Sequence, residues 1–183
     1  MISKKYNPEA LKELLLQMIE AKAGEKLIYA MAVRCALRED LKAQWEEHLK
    51  RVPTHREILL DLCQAAAVDP NERSAGWTVA KHLEESLVAA MQAALAASDG
   101  EAAQRVACEC VMWAETRDHQ KWDLIRRIGS ISSGPLKDAI DARLEEIGRE
   151  EARHLRQTAT LSDELWAEFL GLSSVPARAS STL

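Results

Sequence analysis

The sequence predicts an all-α protein, an up-down bundle of long helices, on three observations. Helix formers (Ala, Leu, Glu, Arg) dominate while aromatic residues make up only 4%, so strand formers are scarce. Clusters of Gly, Pro, Ser, Asn and Asp interrupt the chain only at wide intervals. Between them, apolar residues recur in steps of three and four, the period of a helix with one buried face. At 183 residues, 47% apolar and 29% charged, the chain can bury a substantial core.

The breakers divide the chain in order. Asn7-Pro8 is a capping residue followed by proline in the first turn, and the helix it opens runs to about Ala36. A second helix extends from about Glu39 to Val68, ahead of "DPNERSAG", with Pro53 expected to kink it or divide it. A third covers roughly 75–97 and ends at "ASDG"; a fourth runs from about Glu101 to Ile128. After "GSISSGP" a fifth spans about Pro135 to Thr158, and "SDELWAEFLG" reads as a short sixth helix capped by Ser162. Residues 1–160 thus form the bundle and 161–183 a short helix with a flexible C-terminal tail.

Charge and cysteine content narrow the function. A formal net charge of −5 argues against a nucleic-acid-binding surface. The start "MISKKYNPEALKELLLQM" has no secretory-signal pattern, and no segment offers about eighteen uninterrupted apolar residues, so a cytoplasmic protein without membrane spans is expected. Cys35, Cys63, Cys108 and Cys110 form no CxxC pair and read as buried apolar groups or single thiols.

The seams carry the chemistry. Helix one presents Leu14, Met18, Ala21, Glu25, Ile28, Ala32 and Cys35; helix two presents Leu41, Trp45, His48, Val52, His55, Leu59 and Leu62. Helix four gives Cys108, Met112, Glu115, His119 and Trp122, and helix five gives Ile140, Leu144, Ile147, Glu151, His154 and Thr158. Four helices therefore interrupt their apolar stripes with carboxylate or imidazole groups. Burying such groups unpaired costs several kcal/mol, so they need a common partner, and a metal ion is the most economical one. Four of the five histidines fall on seams, where a stripe of about three positions in seven would collect one or two. The competing explanation of each residue is structural: Glu25 at a water pocket, Glu115 beside an arginine, His48 and His119 as satisfied core histidines. His82 with Glu84 and Glu85 reads as a solvated face of helix three.

The segments "AGEKLIYAMAV", "WEEHLKRVPTHREIL", "VMWAETRDHQKW" and "RLEEIGREEARHL" resemble the ferritin-like di-iron carboxylate bundles, and more narrowly the YciE/YciF-type stress-associated proteins, over roughly residues 8–158. The resemblance implies a four-helix bundle with helix three as an additional crossover helix, so that helices two and four run parallel. It implies a metal site drawn from Glu25, His48, His55, Glu115, His119, Glu151 and His154, holding one or two iron ions, with manganese as an alternative. The family pattern also places E-x-x-H on helix two, but Val52 stands three before His55 and Trp45 three before His48. One carboxylate is missing. His48 and His55 lie about 10.5 Å apart along the helix, which points to an asymmetric pair or a single ion.

The function implied first is a metal-dependent oxidase or ferroxidase of the stress response, with oxygen or peroxide as co-reactant. The alternative is a structural or interaction protein of the same kind, with or without metal and without catalysis; an oxygenase of a small organic substrate ranks third. A homodimer is expected, because Leu83, Leu87, Val88, Met91 and Leu95 on helix three and Trp113 on helix four exceed what one four-helix core can cover.

Overall fold

The structure, a computed structural model, describes residues 6–97 and 99–172, apart from the side chains of residues 145 and 146. The predicted tail, residues 173–183, lies outside the described residues. Five α-helices account for the regular structure: α1 (Pro8–Cys35), α2 (Glu39–Ala65), α3 (Ala75–Ala96), α4 (Gly100–Gly129) and α5 (Pro135–Phe169). No strand occurs among the described residues.

Their starts follow from local chemistry. Asn7 Oδ1 accepts from the backbone N–H of Glu9 and Ala10, Ser74 Oγ from that of Trp77, and Asp99 Oδ1 from that of Ala102. Gly134 opens α5 at φ +67°, a left-handed conformation that disfavours a side chain, and Pro135 follows it at the first helical position. The tight α1–α2 turn has no carbonyl partner for its amides. Buried Gln104 of α4 supplies one: its Oε1 accepts from the N–H of Leu37 at 2.8 Å and of Arg38 at 2.7 Å.

Two sequence expectations are corrected here. The sixth helix does not exist as a separate element, because α5 continues through Ser162 to Phe169 over 35 residues. Ser162 is buried inside it and Leu165 packs into the apolar core, so the breakpoint expected at 158–161 is overridden by burial on both sides. Pro53 does not divide α2 either. Its ring faces solvent, and the helix runs unbroken from Glu39 to Ala65.

The packing partners are α1 with α2, α3 and α4, and α5 with α2 and α4; the diagonals α1–α5 and α2–α4 make no close backbone approach. A closed ring α1–α2–α5–α4 results, with α3 laid against α1 and α4. Side-chain pairs fix the directions. Lys22 meets Asp118 while Tyr29 meets Glu115, so α1 and α4 are antiparallel; His48 meets His154 while His55 meets Glu151, so α2 and α5 are antiparallel. The short α1–α2 turn makes those two antiparallel as well, and α2 and α4 therefore run the same way. The third helix carries the chain back between them.

Two apolar cores fill the ring. One is built from Leu11, Leu15, Met18 and Ile19 of α1, Ile58, Leu59, Leu62 and Cys63 of α2, Trp122 and Ile125 of α4 and Leu136, Ile140, Leu144 and Ile147 of α5; the other is built from Ile28, Met31, Ala32 and Cys35 of α1, Leu41, Trp45 and Val52 of α2, Ala103, Ala107, Cys108, Val111 and Ala114 of α4 and Leu165 of α5, with Met91 of α3. On α1, α4 and α5 the buried charged and imidazole groups lie in the gap between the two.

Candidate functional site

The gap is a polar belt across the bundle, and its centre is a lysine. Lys22, 1% exposed, points its Nζ at Glu25 Oε2 (2.8 Å), Asp118 Oδ2 (2.6 Å) and Glu151 Oε1 (3.7 Å). Trp122 Nε1 donates to the same Asp118 Oδ2 at 2.9 Å. His55 closes this side, its Nδ1 2.9 Å from Glu151 Oε1 and its Nε2 3.3 Å from Glu150 Oε2. Three helices thus surround one ammonium, and a fourth braces it through His55.

Electrostatics divide the protons among these groups. Burial alone would push the Lys22 ammonium down, but Asp118, Glu151 and Glu25 outweigh it and hold it well above its usual value. Burial raises Glu25 well above the carboxylate range, against the pull of Lys22, and raises Asp118 to about 7. Burial would raise Glu151 too, yet Lys22, His55 and a hydrogen bond shared with Asp118 hold it below the carboxylate range. Lys22 and Glu151 are the two groups held toward their charged forms, and burial biases Glu25 toward its protonated one.

The other side of the belt is built differently. Glu115 Oε1 accepts from Tyr29 Oη at 2.9 Å and lies 3.1 Å from His48 Nδ1, but out of hydrogen-bonding alignment. The His48 ring stacks on that of His154, centroids 3.7 Å apart and planes inclined by 25°. Burial, then the neighbouring His48, push His154 down to about 3, so that ring is neutral. Glu115 Oε2, His48 Nδ1 and His154 Nε2 are buried without a hydrogen-bond partner.

Of the seven residues singled out in the sequence, six are at least nine-tenths buried and line this belt: Glu25, His55 and Glu151 on the Lys22 side, His48, Glu115 and His154 on the other. His119 is not among them. It is half-buried, and among the described residues it makes no ion pair or ring contact with the six. The stripe on α4 runs through Val111, Glu115, Asp118 and Trp122, where a different choice of three- and four-residue steps had selected Met112 and His119. Sequence reasoning therefore missed Asp118, and it missed Lys22. The signal was present, because Leu15, Met18, Lys22, Glu25 and Tyr29 also follow helical steps and all are buried. Glu84 is a further correction. It is buried against Gly24, with Arg117 Nη1 donating to its Oε1 at 2.9 Å, whereas His82 beside it faces solvent.

The donors do not fit a metal pair as they stand. An imidazole nitrogen binds a metal in the plane of its own ring at about 2.1 Å, and two rings stacked at 3.7 Å with near-parallel planes cannot aim at one ion. On the other side the meeting point of the carboxylates is filled by Lys22 Nζ. Among the described residues no group of three or more His, Cys, Asp or Glu side chains is disposed to hold a metal ion.

The belt meets the surface along the α2–α5 seam, in two shallow clefts that share Arg153. One is lined by Arg51, Arg149, Glu150 and Arg153; the other, of about 290 Å³, reaches His48. Comparison with known proteins finds no matching family model, no matching curated protein and no matching solved structure.

Proposed function

We propose that this chain is a ferritin-like bundle of the YciE/YciF type that works without a resident di-metal centre, as a structural or interaction protein of the stress response and not as an oxidase. The observation that carries the proposal is Lys22, whose ammonium lies where three carboxylates converge. A fixed positive charge there does the electrostatic work of a cation. The ring of α1, α2, α4 and α5 with a return helix supports the ferritin-like assignment. A cytoplasmic location and a homodimer belong to the same reading. The dimer is supported by Trp113, 66% exposed on α4, and Leu83, 42% exposed on α3, although Met91 is buried within the chain and Leu87, Val88 and Leu95 pack partly buried against its core.

A second reading is favoured by the three unpartnered donor atoms of Glu115, His48 and His154. Two imidazoles and one carboxylate are the donor set of a mononuclear ferrous or manganous site. Such an ion would require the two rings to swing out of their stack. Anaerobic loading with ferrous iron, followed by metal analysis and oxygen-uptake measurement, tests both. Well under one iron per chain and no oxygen uptake is the expected result. One iron without uptake would support the second reading, and two irons with turnover would overturn the first in favour of an oxidase. Sedimentation checks the dimer: a monomer would refute it, and a mass near 24 subunits would point to storage.

A further inference from the structure

We infer that the α2–α5 seam binds a phosphate monoester of a small hydroxylated molecule, with the phosphate between Arg51 and Arg153 and the hydroxyl-bearing body in the adjoining cleft beside His48. The chain carries a formal charge of −5, yet the first cleft, of about 250 Å³, is walled by Arg51 from α2 and by Arg149 and Arg153 from α5. Among the described residues Arg51 is engaged through Nε alone, 3.3 Å from Glu150 Oε1, so its two terminal amino groups are open to a ligand. Arg153 makes no hydrogen bond or ion pair among the described residues. Glu150 does not neutralise the cleft by itself, because its other oxygen is turned to His55 at 3.3 Å.

The two open guanidinium groups stand on opposite walls, and they need an anion with acceptors facing both ways. A planar carboxylate presents its two oxygens along one edge. A phosphate monoester carries three terminal oxygens around a tetrahedron and close to two negative charges at neutral pH. The second cleft, of about 290 Å³, shares Arg153 and continues along the seam past Gln44, Gln157 and His48. His48 is 4% exposed there, and its Nδ1 has no hydrogen-bond partner. Asp40 and Glu47 also line this cleft, so a second anionic group is repelled from it while hydroxyls find acceptors. The same two carboxylates and the net negative charge oppose a polyanion.

Glucose 6-phosphate, glucose and inorganic phosphate should be titrated calorimetrically into the full chain, with thermal midpoints followed alongside. The expected result is one glucose 6-phosphate per chain, bound at least tenfold more tightly than inorganic phosphate, and a midpoint that rises with the ester but not with glucose. Arg51→Gln and Arg153→Gln should each weaken the ester at least tenfold, whereas Gln157→Ala should weaken the ester and leave inorganic phosphate unchanged. All three side chains are exposed, so the variants keep the fold. Arg127→Gln, at an exposed arginine of α4, is the control and should bind like the wild type. An equal loss in Arg127→Gln would reduce the effect to general charge and overturn the site. Failure to bind glucose 6-phosphate, or equal affinity for inorganic phosphate, would overturn it as well, as would a short oligonucleotide binding more tightly than the ester.

Discussion

Trp122 and Lys22, from different helices, donate to one and the same oxygen of Asp118, at 2.9 and 2.6 Å. The indole is 2% exposed and belongs to the apolar core beside the belt, so one side chain ties hydrophobic packing to the ionic centre. Trp122→Phe keeps most of the ring and deletes the donor. It should lower stability by about 1–3 kcal/mol, read as a drop in urea midpoint, because a buried carboxylate loses a hydrogen bond. An unchanged midpoint would show that the indole N–H adds nothing to stability.

Asp118 sets a pH signature. Its folded value of about 7 against an ordinary 3.8 means that the fold holds this proton more tightly than the unfolded chain does. The contribution is complete below about pH 4 and is lost as pH rises through about 7. His154, lowered to about 3, acts oppositely, its contribution being present above 6.5 and lost as pH falls. Asp118→Asn removes only the first. Stability of wild type minus Asp118→Asn should therefore fall by about 1.4 kcal/mol per pH unit between about pH 4.5 and 6.5. A difference independent of pH would show that Asp118 does not titrate in that window.

Gly24 allows α1 and α3 to approach closely, since a Cβ there would collide with Cβ and Cγ of Glu84. Alanine gains about 1 kcal/mol of helix propensity, but overpacking typically costs about 1–3 kcal/mol, and buried Glu84, held by half-buried Arg117, has little room to yield. Gly24→Ala should destabilise. Gly148→Ala is the control: nothing lies within 4 Å of its would-be Cβ, and it should stabilise by up to about 1 kcal/mol. Equal effects at the two positions would contradict the close approach.

Pro53 removes the amide that would bond the Leu49 carbonyl, inside a helix that nonetheless continues. Because the ring is exposed, Pro53→Ala should restore that bond without disturbing the core. The thermal midpoint should rise by several degrees, corresponding to about 1–3 kcal/mol. A fall would mean that the proline shapes the α2–α5 seam in a way alanine cannot.

Much of the fold was legible because helix periodicity is a local property. Asn7-Pro8 and Pro135 marked helix starts by chemistry confined to one turn, and the breaker clusters "DPNERSAG" and "ASDG" bracketed α3. The continuity of α5 through Ser162 was not legible, since it depends on Leu165 finding a core built by other helices. Within the belt, a wide buried stripe admits two sets of steps, and on α4 the set that selected His119 passed over Asp118. Lys22 was hidden for a different reason. A lysine on an apolar face normally carries its charge out to water, and only the convergence of Glu25, one turn on, with Asp118 and Glu151 from two other helices keeps this one inside.

The belt also determines which sliding states of the bundle are forbidden. Leu, Ala and Ile seams repeat so regularly that a helix shifted lengthwise by two turns would still bury an apolar face, at a modest packing loss. Shifted that way, α1 would carry Lys22 about 11 Å along the axis into one of the apolar cores and strand Asp118 and Glu151 without a positive charge. Such a stranded buried charge costs about 3–5 kcal/mol, more than the shift saves anywhere else. The ionic layer thus acts as a key that admits one alignment of four otherwise slippery helices.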